Sequence, residues 1–142
     1  MSNFMHVNLI RTMDNVILPR QDREYLNLKG FDYRETQEGD KKALIIDNFQ
    51  LPETKFTENK SSLMIYLPDG YPDVPPDMFY FSPALLLNPN NNQPAAANVQ
   101  ENYLGIIWQR WSRHAPSEDW RRGIDGIHSY LQRVILALKI AS

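Results

Sequence analysis

Tyr71-Pro72-Asp73-Val74-Pro75-Pro76-Asp77, followed at once by Met78-Phe79-Tyr80-Phe81, is the stretch that decides the fold. Three prolines within five residues fix φ and bias each preceding residue away from helix, which predicts a rigid, extended path. The stretch lies between two strand-like runs, residues 63–67 and residues 78–81. A stiff proline corner joining two strands of a meander is an uncommon device, so it identifies more than composition does.

Working outward, Leu63-Met64-Ile65-Tyr66-Leu67 is apolar enough for a central strand, and Pro68-Asp69-Gly70 ends it. Upstream, residues 31–37 read as a strand, Glu38-Gly39-Asp40 as a tight turn, and residues 43–46 as the hairpin partner. Residues 19–29 predict a short helix: Pro19 suits its first turn, Asp22 and Glu24 its positive end, and Lys29-Gly30 its stop. Residues 51–62 are polar and loop-like, and residues 82–103, rich in Asn, Pro and Ala, read as one long irregular stretch of the kind that often carries function. From Ile124 onward, Ile127, Leu131, Val134, Ile135 and Leu138 recur at the spacing of a buried helical face. Arg133 and Lys139 fall late in that helix, where cations suit its negative end. The order predicts an α+β domain, with helices segregated on a four-stranded antiparallel meander.

Length and charge bound the possibilities. A chain of 142 residues suits one domain with a sizeable core, and residues 1–17 read as a candidate N-terminal extension to it. The net charge of −2 gives no electrostatic reason to expect nucleic acid or an anionic membrane as partner. The chain has 0 cysteines, which excludes disulfides, thiolate metal sites and a thiol nucleophile within it. Its three scattered histidines make no metal site. No run reaches the roughly 18 apolar residues of a membrane span, and no basic stretch leads into an apolar one, so a cytoplasmic location is expected.

Most of the chemistry lies in Trp108-Gln109-Arg110-Trp111-Ser112-Arg113-His114, closing at Trp120. Ser112 and His114 stand two apart, so in extended chain their side chains share one side. A hydroxyl needs a nearby base to become a nucleophile, and imidazole is the usual one. The plainer alternative is a chance Ser-x-His pair with Ser112 capping a turn. Trp108, Trp111 and Trp120 read as core or loop anchors. Asp73 and Asp77 read as turn residues, His128 as a surface residue, and Glu118-Asp119 as acidic residues priming the last helix.

Tyr71-Pro72-x-x-Pro75-Pro76, after one strand and before an aromatic one, resembles the Tyr-Pro-x-x-Pro-Pro signature of the ubiquitin-conjugating (UBC) fold. In that family a helix precedes a four-stranded meander, and the catalytic cysteine lies eight residues before a tryptophan that introduces the later helices. Eight residues before Trp120 stands Ser112. The chain is most similar to the bacterial branch called prokaryotic family E, found beside ubiquitin-like proteins and activating-enzyme homologues. The stretches that carry this resemblance are Leu18-Pro19 with Asp22 to Leu26, Leu67 to Met78, Trp108 to His114, and Trp120 to Asp125.

The resemblance implies a carrier enzyme. Ser112 would accept the C-terminus of a ubiquitin-like protein from an activating enzyme as an oxyester and pass it to a target protein. His114 would act as base, and Arg110 or Arg113 would stabilise the oxyanion or grip the modifier's tail. No small-molecule cofactor is implied. The alternative is a catalytically inactive module that binds a ubiquitin-like protein or activating enzyme noncovalently, its Arg and Trp side chains serving as contacts. The family's His-Pro-Asn tripeptide has no counterpart at the expected spacing, because Asn88-Pro89-Asn90 begins more than 20 residues before Ser112. The oxyanion stabiliser therefore stays open among Arg110, Gln109, Arg113 and Asn102.

Overall fold

The computed structural model of the chain describes residues 16–115 and 117–142. The expected N-terminal extension, with His6, lies outside them except for its last two residues. Helix α1, Arg20–Leu28, follows Pro19, which sits at the cap position just before the first turn. Its C-terminus closes where Gly30 N–H reaches Asn27 O at 3.1 Å and Phe31 N–H reaches Leu26 O at 3.0 Å, satisfying carbonyls the helix cannot. Arg23 on α1 pairs with Glu35 at 3.0 Å, and the same carboxylate accepts the backbone N–H groups of Ile17 and Leu18, which fixes the chain's entry.

Among the described residues six strands follow: β1 Asp32–Glu38, β2 Lys41–Gln50, β3 Lys60–Leu67, β4 Phe79–Ser82, β5 Val99–Tyr103 and β6 Ile106–Trp111. They form one antiparallel sheet in the order β1-β2-β3-β4-β6-β5. Helix α2, Ile127–Ile140, packs across one face. Its buried Ile127, Leu131, Val134 and Leu138 meet Leu44, Ile46, Leu63, Ile65, Phe79, Phe81 and Trp111. Full burial of each such side chain stabilises the fold by about 2 kcal/mol.

β2 and β3 are buried continuously rather than alternately, at Ala43-Leu44-Ile45-Ile46 and at Leu63-Met64-Ile65. Strands read that way when both faces are covered. The second cover is the sheet itself. It curls until Tyr103 of β5 shares a 2.9 Å hydrogen bond with Thr36 Oγ1 of β1, and Leu104 N–H reaches Glu38 Oε2 at 2.6 Å. Ala43, Ile45, Met64, Tyr80, Tyr103 and Trp108 are enclosed on that concave side.

Four expectations need correction. The sheet has six strands, not four, and residues 82–103 are not one loop, because their end forms β5 and pairs with β6. The last helix begins at Ile127 rather than Ile124. Residues 121–125 instead close a turn on themselves, with Asp125 N–H on Arg121 O at 2.9 Å and the Asp125 carboxylate on Arg121 N–H at 2.7 Å, leaving Ile124 exposed. Nor do Glu118 and Asp119 prime this helix, since they lie in a separate short 3₁₀ turn, Ser117–Asp119. The carboxylate at the start of α2 is Asp22 of α1, whose Oδ1 accepts Ile127 N–H at 3.2 Å. That approach requires Gly126, because a Cβ there would stand 2.7 Å from Asp22 Oδ1.

Candidate functional site

The proline corner is a buttressed platform. It opens as a turn, with Asp73 N–H and Val74 N–H both on Gly70 O at 2.9 and 3.1 Å, so the expected extended path does not hold for its first half. Three aromatic side chains pin it. Tyr71 Oη–H donates to the buried Asp22 at 2.6 Å, Trp120 Nε1–H to Pro72 O at 2.7 Å, and Tyr130 Oη–H to Asp77 O at 2.9 Å. Burial raises the Tyr71 and Tyr130 hydroxyls above the ordinary phenol range, so both remain donors. The Asp22 carboxylate beside Tyr71 pushes the same way.

Strand β6 supplies the other wall. Phe79 pairs with Trp111 and Tyr80 with Arg110, which carries β6 directly alongside the strand that leaves the corner. All three tryptophans are buried, as their size predicts. Gln109, also buried, works as a clamp: Oε1 accepts Leu85 N–H at 2.8 Å and Trp111 Nε1–H at 2.9 Å, while Nε2–H donates to Leu85 O at 3.0 Å. Among the described residues no hydrogen bond joins Gln109 to Ser112.

Arg113 clamps the far end of the same loop. Its Nη2 donates to Ala95 O at 2.8 Å and its Nη1 to Ser112 O at 3.1 Å, and its guanidinium lies 4.8 Å from the Trp111 ring centre. Burial lowers its pKa from the ordinary guanidinium value, though arginine stays charged at any working pH. Arg110 sits differently. Only a long 3.5 Å contact joins it to Glu101, and its buried Nε has no partner among the described residues. Glu101 also bears on Tyr66, whose hydroxyl is pushed up to about 12, mainly by burial and secondly by that carboxylate.

Ser112 follows β6 immediately and is half-buried. Its N–H bonds Ala96 O at 3.0 Å, and its Oγ–H points to Met78 Sδ at 3.6 Å, a weak acceptor. His114 is exposed, and its Nδ1 lies 2.7 Å from Asp77 Oδ1. Among the described residues no hydrogen bond joins Ser112 to His114. The structure thus brings Ser112 and His114 to the end of the proline corner through Met78 and Asp77, while Arg113 faces the loop and Arg110 the concave side. From the sequence Asp77 reads only as a turn residue: its place inside the proline motif is a signal, but its partner stands 37 positions away.

Asn102, the remaining oxyanion candidate, lies exposed on β5, opposite Ile107 in the register. His128 is half-buried, its ring 5.9 Å from that of Tyr25. Among the described residues no group of three or more His, Asp or Glu is placed to hold a metal ion, and no helix is long and apolar enough to cross a membrane. Chemically, the arrangement offers a hydroxyl, an imidazole tied to a carboxylate and an under-committed guanidinium on neighbouring segments.

No curated protein and no solved structure matches the chain. One family model does, described as Prokaryotic E2 family E, and it covers residues 18–141. The match runs from the residues leading into α1 to the end of α2, through the corner, the clamped loop and β6, and the two α-helices and six-stranded antiparallel sheet of the described residues fit an E2-like fold. This chain belongs to the prokaryotic E2 family E.

Proposed function

We propose that the protein is the carrier enzyme of a bacterial ubiquitin-like conjugation pathway and that it works through Ser112. Family membership supports a transferase of the conjugating type, with a modifier and an activating enzyme as its general partners. The observation that carries the finer reading is the meeting of corner and serine segment: Met78 touches the Ser112 hydroxyl and Asp77 touches His114.

In this reading Ser112 Oγ attacks the carbonyl carbon of the modifier's C-terminal residue, held as a thioester on the activating enzyme. A C–O bond forms, the C–S bond breaks, and the hydroxyl proton passes through His114 to the departing thiolate. A lysine amine of the target then attacks the ester. A C–N bond forms, the C–O bond breaks, and the proton lost by the amine returns to Ser112 Oγ. A serine hydroxyl is a poor nucleophile, so it must turn from Met78 toward a base at the moment of reaction. In this reading the guanidinium of Arg110 or of Arg113 meets developing charge or the modifier's tail, and Arg113 also holds the backbone beside the serine.

The test combines the protein with its activating enzyme, the modifier and ATP, and reads covalent adducts by intact mass. The expected adduct survives thiol reductant, is cleaved by mild base and is absent from Ser112→Ala. Tight binding with no adduct under any of these conditions would instead identify a noncovalent binding module.

A further inference from the structure

Asp77 touches the candidate base but has no role in the transfer as described above. Its own backbone is unusually constrained. Pro75 and Pro76 precede it, and its carbonyl accepts the Tyr130 hydroxyl at 2.9 Å from helix α2. From that fixed base its carboxylate reaches His114 Nδ1 at 2.7 Å. Both side chains are 63% exposed, and a pair so open to water adds little to folding stability. A short, directed contact that contributes little to stability can still fix the orientation and tautomer of an imidazole.

We propose that Asp77 is the positioning residue of the site: its carboxylate holds the His114 ring with the proton on Nδ1, so that Nε2 is the bare nitrogen available to accept a proton. This rests on the reading of His114 as the base for Ser112. The chemistry is general, because the hydrogen bond made by one ring nitrogen sets which nitrogen carries the proton. An ionised carboxylate accepts only, so Nδ1 must donate to it. With the carboxylate gone, the neutral ring is free to put its proton on Nε2, where it can no longer accept one.

Two measurements test this, and only one needs the partner proteins. Two-bond ¹H–¹⁵N spectra, taken at about pH 9 where an ordinary imidazole is neutral, report the tautomer of His114, assigned by comparison with His114→Gln. Wild type should show mainly the Nδ1–H form, Asp77→Ala should shift it toward Nε2–H, and Asp77→Glu should restore part of the original population. In single-turnover adduct formation Asp77→Ala should be slower by roughly 10- to 100-fold, a share of what a general base contributes. Asp77→Glu should recover part of the rate, and the thermal midpoints of all three should coincide. An unchanged tautomer, or an Asp77→Ala rate equal to wild type while Ser112→Ala stays inactive, would overturn the role of Asp77 and leave the serine reading standing. No adduct from wild type would overturn the serine reading and the role of Asp77 with it.

Discussion

The proline corner and the serine segment lie side by side and are held in opposite ways. The corner carries three aromatic side-chain hydrogen bonds of 2.6 to 2.9 Å, two of them tying it to the helices through Asp22 of α1 and Tyr130 of α2. In the serine segment Arg113 grips the neighbouring loop, but the two groups of interest are held lightly: Ser112 by a backbone bond to Ala96 and a weak hydroxyl–sulfur contact, His114 as an exposed ring on Asp77. Loosely held segments are where reactive groups can turn and where partners can reach, provided a rigid neighbour fixes their position. Here the neighbour is the corner, and stability and the proposed chemistry fall on different residues a few ångströms apart.

Breaking the corner should therefore hit the fold hardest. Trp120→Ala removes a buried indole and its bond to Pro72 O, and should cost about 3–5 kcal/mol in urea unfolding. Tyr71→Phe keeps the ring but strips one partner from the buried Asp22 carboxylate, at a cost of about 1–3 kcal/mol. Asp22→Asn should be less damaging in the Tyr71→Phe background than in wild type, because the two residues share one interaction.

A milder effect sits at the turn before α2, and pH exposes it. Asp125 is held well below the usual carboxylate range, first by the Arg121 guanidinium and then by the Arg121 backbone N–H. A depressed folded pKa contributes stability above the unfolded value of about 3.9 and loses it as pH falls through the folded value. Asp125→Asn should consequently be less stable than wild type at neutral pH, and the gap should close progressively below about pH 4. A constant gap across that range would remove the ion pair as its cause.

Smallest of all should be the stability change in Ser112→Ala and His114→Gln, within about 0.5 kcal/mol of wild type by thermal or urea unfolding. A destabilisation as large as that of Tyr71→Phe would erase the contrast between platform and serine segment.

What the sequence disclosed follows the same division. Apolar periodicity placed α2 to within three residues of its start, and the proline signature led to the family. The β5–β6 hairpin escaped for a definable reason. β5 is Val-Gln-Glu-Asn-Tyr, which has little apolar alternation, and its turn is Leu104-Gly105 with φ of 53° and 73°. Two positive φ values make the turn that suits a two-residue hairpin, but Asn or Asp is the usual first residue and Leu conceals it. The pairing of Asp77 with His114, like the clamping of the loop by Gln109 and Arg113, joins residues distant in the chain. Side-chain partners of that kind leave no periodic trace.

The two clamps also set how freely this protein can change length. Gln109 grips Leu85 at one end of the loop, and Arg113 with Ser112 N–H grips Ala95 and Ala96 at the other. The exposed tip at Pro89-Asn90-Asn91 lies between those grips and touches neither. Loop closure becomes costlier only slowly with length, by about 0.6 kcal/mol for each doubling. Insertions at the tip can thus lengthen the chain, or graft a new recognition element onto it, while Ser112 stays where the strand puts it.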